Sequence, residues 1–425
     1  MTKNDEAWEK LFTEHEILSR VESDGTFKIS ADQIKKFREP RLMTKFDHKI
    51  NLPIKFLSNN LSILPITRGD YLIGHFDTFH EFEPINSPII QASLPEYLQS
   101  LDYKNIFSET VALNCALASE IIEDFIGDKN ILPTVSGRMS SGIFDFKIND
   151  TRKNFSHFVS VNNSQIEIDA AYEGINFLTL IEAKRDLSDD FLVRQLYYPY
   201  RTWKNKVSKP IKTLFIVYSN GIFYLREYFF ADPENYNSIV LVNQKKYSIE
   251  STRITLDDIQ EILSTVSIEI EPQIPFPQAD KFERVINICE LLNEKNFSRD
   301  EVTDEYEFAD RQTNYYTDAA RYLGLLEKFS DNRTISYELS DLGRKILSIG
   351  LRERQLSYCK LILSHKIFAD TMKIFLERGK MPSTEKIIQL MKNANLYRID
   401  SENTFKRRAS TIKSWLNWII DLTCE

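Results

Sequence analysis

The feature that most constrains this chain is a predicted hairpin near the middle of its 425 residues. Two apolar runs rich in β-branched and aromatic residues, Ile166–Glu173 and Phe177–Arg185, lie on either side of a Gly-Ile-Asn turn. This pattern predicts two paired antiparallel strands. A turn centred on residues 175 and 176 sets a register that continues down to Asp169 opposite Glu182.

Three polar side chains of this hairpin are predicted to converge. Side chains alternate between the two faces of a strand, so Glu182 and Lys184 share a face and Ala183 points away. The register puts Asp169 beside Glu182, whereas a slip of one residue would turn it to the other face. Two carboxylates at a strand end suit Mg²⁺, which prefers oxygen ligands and keeps several waters. The neighbouring ammonium can stabilise charge on a phosphate or, if its pKa is lowered, help to activate water.

The same acidic-x-basic spacing occurs twice elsewhere, in Asp47-His-Lys49 and in Asp145-Phe-Lys147. Taken alone, such a triplet is most often a salt-bridged strand face. The triplet at 182–184 differs because an apolar strand leads into it, a polar helix follows it and its hairpin partner carries Asp169. This conjunction predicts cleavage of a phosphodiester with Mg²⁺.

These residues resemble the PD-(D/E)XK nuclease superfamily, with Ile168-Asp169 as the first half-motif and Glu182-Ala183-Lys184 as the second. The first half-motif departs from the superfamily's name, since Ile168 stands where Pro is nominal. The resemblance implies an α/β fold with a mixed-sheet nuclease core. It also implies that Asp169, Glu182 and the Ala183 carbonyl ligand Mg²⁺ while Lys184 assists the attacking water.

Helices before and after the hairpin supply further candidates. The helix predicted directly after it carries Arg194 and Gln195, and Pro199 should end or kink that helix. Gln195 matches a supplementary active-site glutamine of several branches of the superfamily. Upstream, residues 107–122 have the periodicity of one long amphipathic helix. Glu109 is the candidate for an extra acidic residue from that helix. The simpler alternatives are that Gln195 is only solvated and that Glu109 is an acid favoured by the helix dipole.

Composition indicates an enzyme of two to four domains without a membrane segment. Hydrophobic residues make up 42% of the chain, which is ample core material. The four cysteines, Cys115, Cys289, Cys359 and Cys424, are far apart and lack metal-ligand spacing, so reduced thiols are expected. The first residues lack an apolar signal region and no run approaches the length of a membrane span. We therefore expect a cytoplasmic protein.

The net charge of −8 is unevenly distributed. Residues 351–425 carry 14 Lys and Arg against 8 Asp and Glu, a net charge of +6, so the remaining chain carries −14. Local charge sets the field that a phosphate backbone feels within a Debye length. The C-terminal region is therefore the expected site of contact with double-stranded DNA.

Four domains are predicted: an N-terminal region at 1–100 that contains β-strands, the nuclease domain at 101–270, and mainly helical domains at 280–350 and 351–425. A proline-rich linker precedes the third domain. Helices followed by a hairpin in that domain are in winged-helix order, in which the third helix can enter a major groove. The fourth domain resembles the same module built from helices alone. Either domain could instead bind proteins.

The residues predicted to contact DNA are basic or polar and lie in five segments. In the third domain and in the closing helix they are Arg311, Gln312, Asn314, Tyr315, Arg321, Lys406, Arg407, Arg408 and Lys413. Earlier in the chain they are Arg38, Arg41, Lys45, Arg138 and Arg194, with Arg138 on a predicted flexible loop, 136–142. The N-terminal cluster could equally brace the catalytic domain through ion pairs, and the loop could be an ordinary turn.

The whole layout resembles type II restriction endonucleases. This resemblance implies sequence-specific double-strand cleavage that leaves 5′-phosphate ends, a homodimer with two active sites, and a DNA methyltransferase in the same system. Two alternatives stay open. The chain could be a DNA-binding regulator with an inert nuclease-like domain, or a structure-specific repair nuclease.

Overall fold

The computed structural model describes residues 2–251, 253–293, 297–298, 310–331, 334–394, 396–397, 399 and 401–423. Within these ranges the fold is mixed α/β, as the sequence predicted. No helix in the described ranges combines the length and the hydropathy needed to cross a membrane. Cys115, Cys289 and Cys359 are buried and unpaired, in line with the expected thiols, and Cys424 lies outside the described residues.

The N-terminal part is a small layer of helices over a three-stranded antiparallel sheet. Its core forms around Trp8 and Phe56, whose rings meet edge to face with centroids 4.8 Å apart. The helices are α1 Lys3–Glu14, α2 Ile17–Asp24, α3 Ala31–Lys35, α4 Pro40–Thr44 and α5 Ile54–Ser58, with a 3₁₀ turn at Lys49–Asn51. The strands are β1 Thr26–Ser30, β2 Ser62–Pro65 and β3 Asp70–Gly74, in the order β1-β3-β2.

A seven-stranded mixed sheet forms the centre of the molecule, in the order β5-β14-β13-β12-β10-β9-β6. The strands are β5 Ile89–Gln91, β6 Leu132–Ser140, β9 Gln165–Glu173, β10 Leu178–Lys184, β12 Ile211–Ser219, β13 Ile222–Phe230 and β14 Ile239–Ser248. Strands β10 and β12 run parallel, as do β14 and β5, and the other pairs are antiparallel. Strands β4 Phe79–Glu81 and β11 Asp190–Leu192 pair separately, as do β7 Ile143–Asn149 and β8 Ser156–Asn162.

Helices cover both faces of this sheet because β10 and β12 are apolar on both sides. On one face, α6 Glu109–Ala118 and α7 Ile121–Ile126 pack on side chains that include Ile181 and Ala183. On the other face, α8 Arg194–Lys204 and the β7–β8 pair pack on side chains that include Leu178 and Leu180. Glu182 and Lys184 therefore point toward α8, on the face that alternation predicts.

The predicted hairpin between β9 and β10 is confirmed in its register, which runs from Glu173 opposite Leu178 to Ala170 opposite Ile181. The buried carboxylate of Asp128 fixes the turn, since it accepts hydrogen bonds from the backbone N–H groups of Asn176 and Phe177. A Cβ atom on Gly174 would collide with this carboxylate. The turn thus requires glycine at that position, which explains why the sequence signal is reliable here.

Three local predictions in this region are wrong. Residues 107–122 form two helices instead of one, because Glu120 adopts a left-handed conformation with φ of 59°. The segment 136–142 is mostly the edge strand β6, paired with β9, and is not a flexible loop. The helix after the hairpin begins at Arg194, after the short strand β11, and it continues through the buried Pro199.

The C-terminal part is mainly helical around one continuous core that extends from Ile254 to Ile419. Its helices are α9 Leu256–Thr265, α10 Phe282–Leu292, Asp310–Tyr322, Asp341–Leu347, Leu351–Leu363, Lys366–Arg378, Thr384–Lys392 and Glu402–Asp421. Strands Phe297–Ser298, Leu326–Asp331 and Thr334–Leu339 form an antiparallel sheet with the last of them in the middle. Residues 299–309 lie outside the described residues. The helices Asp310–Tyr322 and Glu402–Asp421 carry the C-terminal residues that were predicted to contact DNA.

Candidate active site

The structure brings Asp169, Glu182 and Lys184 together at the end of the hairpin. The Lys184 ammonium lies 2.7 Å from Oε1 of Glu182, and the Gln195 side-chain amide donates to the same oxygen over 2.7 Å. Oδ2 of Asp169 accepts a hydrogen bond of 2.8 Å from the N–H of Ala183, the residue between the other two. Four of the five predicted catalytic residues, three of them from the hairpin, thus form one contact network.

An irregularity in β9 determines where the Asp169 side chain points. Against the neighbouring strand β6, the pairing passes from Val135 opposite Ala171 to Gly137 opposite Ile168, which leaves one extra residue on β9. Such a bulge bends a strand and re-aims a side chain. The ladder with β10 ends at Ala170, so Asp169 does not pair with Glu182 as the register predicted. Its carboxylate instead bonds the β10 backbone.

The charges at this site explain the protonation of Glu182. Burial raises the pKa of Glu182 to about 8, because the stabilising charge of Lys184 is offset by the nearby charges of Asp169 and Asp47. Burial also disfavours the Lys184 ammonium, yet Glu182 and Asp47 together hold the pKa of Lys184 well above its ordinary value. Several carboxyl groups therefore compete for one buried cation, and Glu182 keeps a proton at neutral pH.

Glu109 lies in the first turn of α6 and contributes to the same electrostatic environment. It is partly buried, and burial raises the pKa of its carboxyl, while the charge of Lys184 lowers it and that of Asp169 raises it. The fifth predicted catalytic residue is thus near the others, although no hydrogen bond links it to them in the described part of the chain.

Two residues of this site, Asp47 and His48, were missed by sequence reasoning. Asp47 is 4% exposed, and its Oδ2 lies 3.6 Å from the Lys184 ammonium and 3.3 Å from that of Lys45. Burial opposes ionisation, but these two cations lower the pKa of Asp47 to about 2. His48 contacts the carboxylate of Asp186 at 3.1 Å. The sequence shows the acidic-x-basic spacing of Asp47-His-Lys49, but nothing in the local sequence indicates that this triplet packs beside Lys184.

The donor set fits an oxygen-preferring cation such as Mg²⁺. Asp169 and Glu182 offer carboxylates and Ala183 offers a backbone carbonyl, and Mg²⁺ needs few protein ligands because it keeps waters. Oδ1 of Asp47 and Oε1 of Gln195 are buried oxygens with no hydrogen-bond partner in the described structure. As the side chains stand, no three His, Cys, Asp or Glu groups of the described residues converge on one point.

The N-terminal residues predicted to contact DNA are largely engaged within the protein. Arg38 donates a 2.7 Å hydrogen bond to Asn4, and Lys45 pairs with Asp47. Arg41 is exposed. The contacts of Arg38 and Lys45 favour the bracing interpretation over DNA contact for these two residues.

The other two early candidates lie on different surfaces. Arg138 pairs with Glu167 at 3.2 Å on the exposed side of the edge strand β6. Arg194 packs over the ring of Tyr198, and its charge acts on Asp47, which places it beside the active-site network.

The C-terminal candidates gather on two neighbouring helices, 310–322 and 402–421. Lys406 and Arg407 are exposed and Asn314 is half-buried. Arg408 is close enough to Tyr315 for their charges to interact, and burial together with Arg407 lowers the pKa of Arg408. The N-terminal halves of the two helices thus meet at this pair.

The remaining residues of these helices have defined partners or lie outside the description. Arg321 pairs with Asp318 at 2.7 Å, and Lys413 donates to the Thr384 hydroxyl at 2.8 Å. Thr317 of the 310–322 helix is fully buried and donates its hydroxyl to the Thr313 carbonyl. The side chains of Arg311 and Gln312 lie outside the described residues.

Three family models match successive parts of the chain, and each is described as a domain of unknown function. They are DUF6996 over residues 5–73, DUF6997 over residues 74–248 and DUF7226 over residues 284–424. No curated protein and no solved structure matches the chain. The hairpin network lies within the DUF6997 match, whereas Asp47 and His48 lie within the DUF6996 match.

Proposed function

We propose that this chain is a Mg²⁺-dependent DNA endonuclease of the PD-(D/E)XK superfamily, acting in the cytoplasm as a type II restriction enzyme. One observation carries the proposal: Asp169, Glu182 and Lys184 converge where a buried hairpin ends. The setting supports it, since the hairpin lies in a mixed sheet with α6 on one face and α8 on the other. Gln195 of α8 touches the centre.

Each residue of the centre has a distinct role in the proposed reaction. Asp169, Glu182 and the Ala183 carbonyl would hold Mg²⁺. When bound, the cation stabilises charge that develops on the phosphate and promotes attack by water. Lys184 supplies a fixed positive charge at the phosphate, since its pKa lies well above neutrality. Gln195 orients Glu182 through its amide, and in-line attack leaves a 5′-phosphate.

The C-terminal part is suited to hold the substrate. Among the described residues, helix α10, a short strand, the 310–322 helix and a hairpin occur in an order that fits a winged helix, which supports placing the 310–322 helix in a major groove. Lys406 and Arg407 extend this surface with two exposed cations. Cutting both strands requires two active sites, so we propose a homodimer as the working form and a methyltransferase that protects the same sequence.

Incubation of the purified protein with a long unmethylated DNA and Mg²⁺ tests the proposal. Discrete fragments indicate restriction, a smear or nicking at junctions indicates a repair nuclease, and shifted but intact DNA indicates a regulator. Lys184→Ala should abolish cutting and leave the shift. Lys147→Ala is the matched control, because Lys147 is an exposed lysine at the end of the Asp145-Phe-Lys147 triplet, and this variant should cut as the wild type does.

A further inference from the structure

The segment that contains Asp47 is fixed by its backbone against the region that follows β10. The Asp47 carbonyl accepts a hydrogen bond of 2.9 Å from the N–H of Leu192, in the short strand that precedes α8. The N–H of Lys49 donates to the Asp190 carboxylate at 3.2 Å. These contacts join a residue of the N-terminal part to the active-site network, so the position of Asp47 does not depend on its side chain.

The Asp47 side chain is buried, yet it is not used fully by the fold. Its Oδ1 has no hydrogen-bond partner among the described residues, and its Oδ2 faces two ammonium groups at 3.3 and 3.6 Å. Asp128 offers a contrast, since it is 2% exposed and accepts hydrogen bonds from the backbone N–H groups of Asn176 and Phe177 in the hairpin turn and of Lys129 beside it. A buried carboxylate that satisfies no backbone donor is costly. The Asp47 carboxylate therefore serves the two ammonium groups that it faces rather than the backbone.

Lys184 lies between two carboxylates, Glu182 at 2.7 Å and Asp47 at 3.6 Å. Under the proposed function Glu182 gives its oxygens to the cation, so Lys184 loses the nearer of its two partners. Among the described residues, Asp47 is then the acidic group that remains within ion-pair distance of Lys184. Its ionised state suits this role, since a carboxylate next to a buried ammonium stabilises the charged form.

We infer that Asp47 is a positioning residue that holds Lys184 in place when Glu182 engages Mg²⁺, so that the N-terminal part completes the active site. This inference rests on the proposed function. It assigns a role to the segment that matches DUF6996, which would otherwise only brace the catalytic sheet.

The first test measures the position of Lys184 without relying on DNA cleavage. Wild type and Asp47→Asn are treated with an amine-acylating reagent, with and without Mg²⁺, and acylation of Lys184 is quantified by mass spectrometry. Lys212, which pairs with Glu227 at 2.8 Å, is the internal reference. In wild type, Lys184 should stay protected when Mg²⁺ is added. In Asp47→Asn, Mg²⁺ should accelerate its acylation several-fold.

The second test separates positioning from structure by kinetics. Asp47→Asn should lower kcat by about 10- to 100-fold, because a misplaced catalytic group costs rate more than binding. The affinity for DNA in Ca²⁺ and the affinity for Mg²⁺ by calorimetry should stay near wild type, while the melting temperature falls because the substitution removes one partner of a buried ion pair. Asp47→Glu should recover part of the rate. Asp145→Asn is the matched control, because Asp145 is the exposed acid of the Asp145-Phe-Lys147 triplet.

The outcomes distinguish the two proposals. Full activity of Asp47→Asn, or equal protection of its Lys184 with Mg²⁺, would overturn the role of Asp47 and leave the nuclease proposal intact. A wild-type protein that neither binds Mg²⁺ nor cuts DNA would overturn the proposed function and the inference with it.

Discussion

Glu182 accepts hydrogen bonds from both Lys184 and Gln195, and it is the residue whose protonation any cation must change. Its pKa of about 8 lies above the ordinary value of 4.5. Between these two values the metal-free protein keeps a proton on Glu182 that a cation must displace. Binding of a metal to carboxylates is therefore coupled to release of a proton.

We predict that Mg²⁺ binding releases about one proton below pH 8 and almost none above it. The affinity for Mg²⁺ should consequently fall as the pH is lowered through 8. Titration calorimetry in buffers of different ionisation enthalpy measures the released protons directly. Glu182→Gln should remove both the proton release and most of the affinity, and a buffer-independent enthalpy at pH 6.5 in wild type would contradict the prediction.

Gln195 offers a second test at the same scale. Gln195→Met removes the amide that fixes the Glu182 carboxylate and keeps a side chain of similar length. A lost hydrogen bond to a buried group costs about 1 kcal/mol of stability, but loss of orientation should reduce the cleavage rate by about tenfold. Single-turnover cleavage and thermal unfolding measure the two effects. A rate equal to that of wild type would favour the simpler alternative, in which Gln195 has no functional role.

Sequence alone was enough to place Glu182 and Lys184 on one strand face, and Asp169 at the same end of the hairpin, because strand alternation and a marked turn act over short distances. Asp47 could not be placed in this way. Its contact with Lys184 depends on how the N-terminal part docks on the sheet, and no local periodicity encodes that docking. The bulge at Asp169 could not be predicted for a related reason, since it arises from pairing with β6 and not from the hairpin itself.

At the scale of elements, α10 and the loop after Lys184 are joined by buried hydrogen bonds. Asn287 is fully buried, donates to the Arg185 carbonyl at 2.7 Å and accepts from the N–H of Leu187 at 3.0 Å. The neighbouring Asp189 pairs with Arg284 of the same helix at 3.0 Å. Helix α10 thus holds the loop that directly follows Lys184.

Asn287→Ala should therefore affect stability and cleavage together. It leaves the Arg185 carbonyl and the Leu187 N–H without their partner, which costs about 1–3 kcal/mol. Denaturant unfolding should show this loss, and kcat should fall while Mg²⁺ affinity is retained. Asn293→Ala, at the exposed end of the same helix, is the control. A destabilised variant with an unchanged cleavage rate would show that the loop does not need this support.

Element boundaries show where sequence reasoning fails. The apolar periodicity of residues 107–122 continues across Glu120, so the break there is set by packing of α7 on the sheet and has no Gly or Pro to mark it. The Ser- and Gly-containing segment at 136–142 has a composition typical of loops. It is nevertheless mainly strand, because β9 offers an edge with which its backbone can pair.

At the scale of the whole molecule, the distribution of charge determines which surface can bind DNA. Residues 351–425 carry +6 while the remaining chain carries −14, so the C-terminal surface should attract a phosphate backbone and most of the rest should repel it. On the described part of this surface Lys406 and Arg407 are exposed at the start of the 402–421 helix, next to the 310–322 helix. Under the proposed function, this arrangement should orient the duplex toward the C-terminal part.

We predict that Lys406→Ala and Arg407→Ala each weaken DNA binding on all sequences and reduce the salt dependence of log K by about one unit of slope. The reason is that each removed phosphate contact releases one counterion fewer. Fluorescence anisotropy over a range of salt concentrations, in Ca²⁺ to prevent cutting, measures the slope. Lys366→Ala is the control, because Lys366 is exposed in the same region but pairs with Asp370 at 2.7 Å. Equal slopes for all three variants and wild type would mean that the duplex lies elsewhere. Sequence-dependent losses would instead assign these side chains to base contacts, because a phosphate contact weakens every site alike.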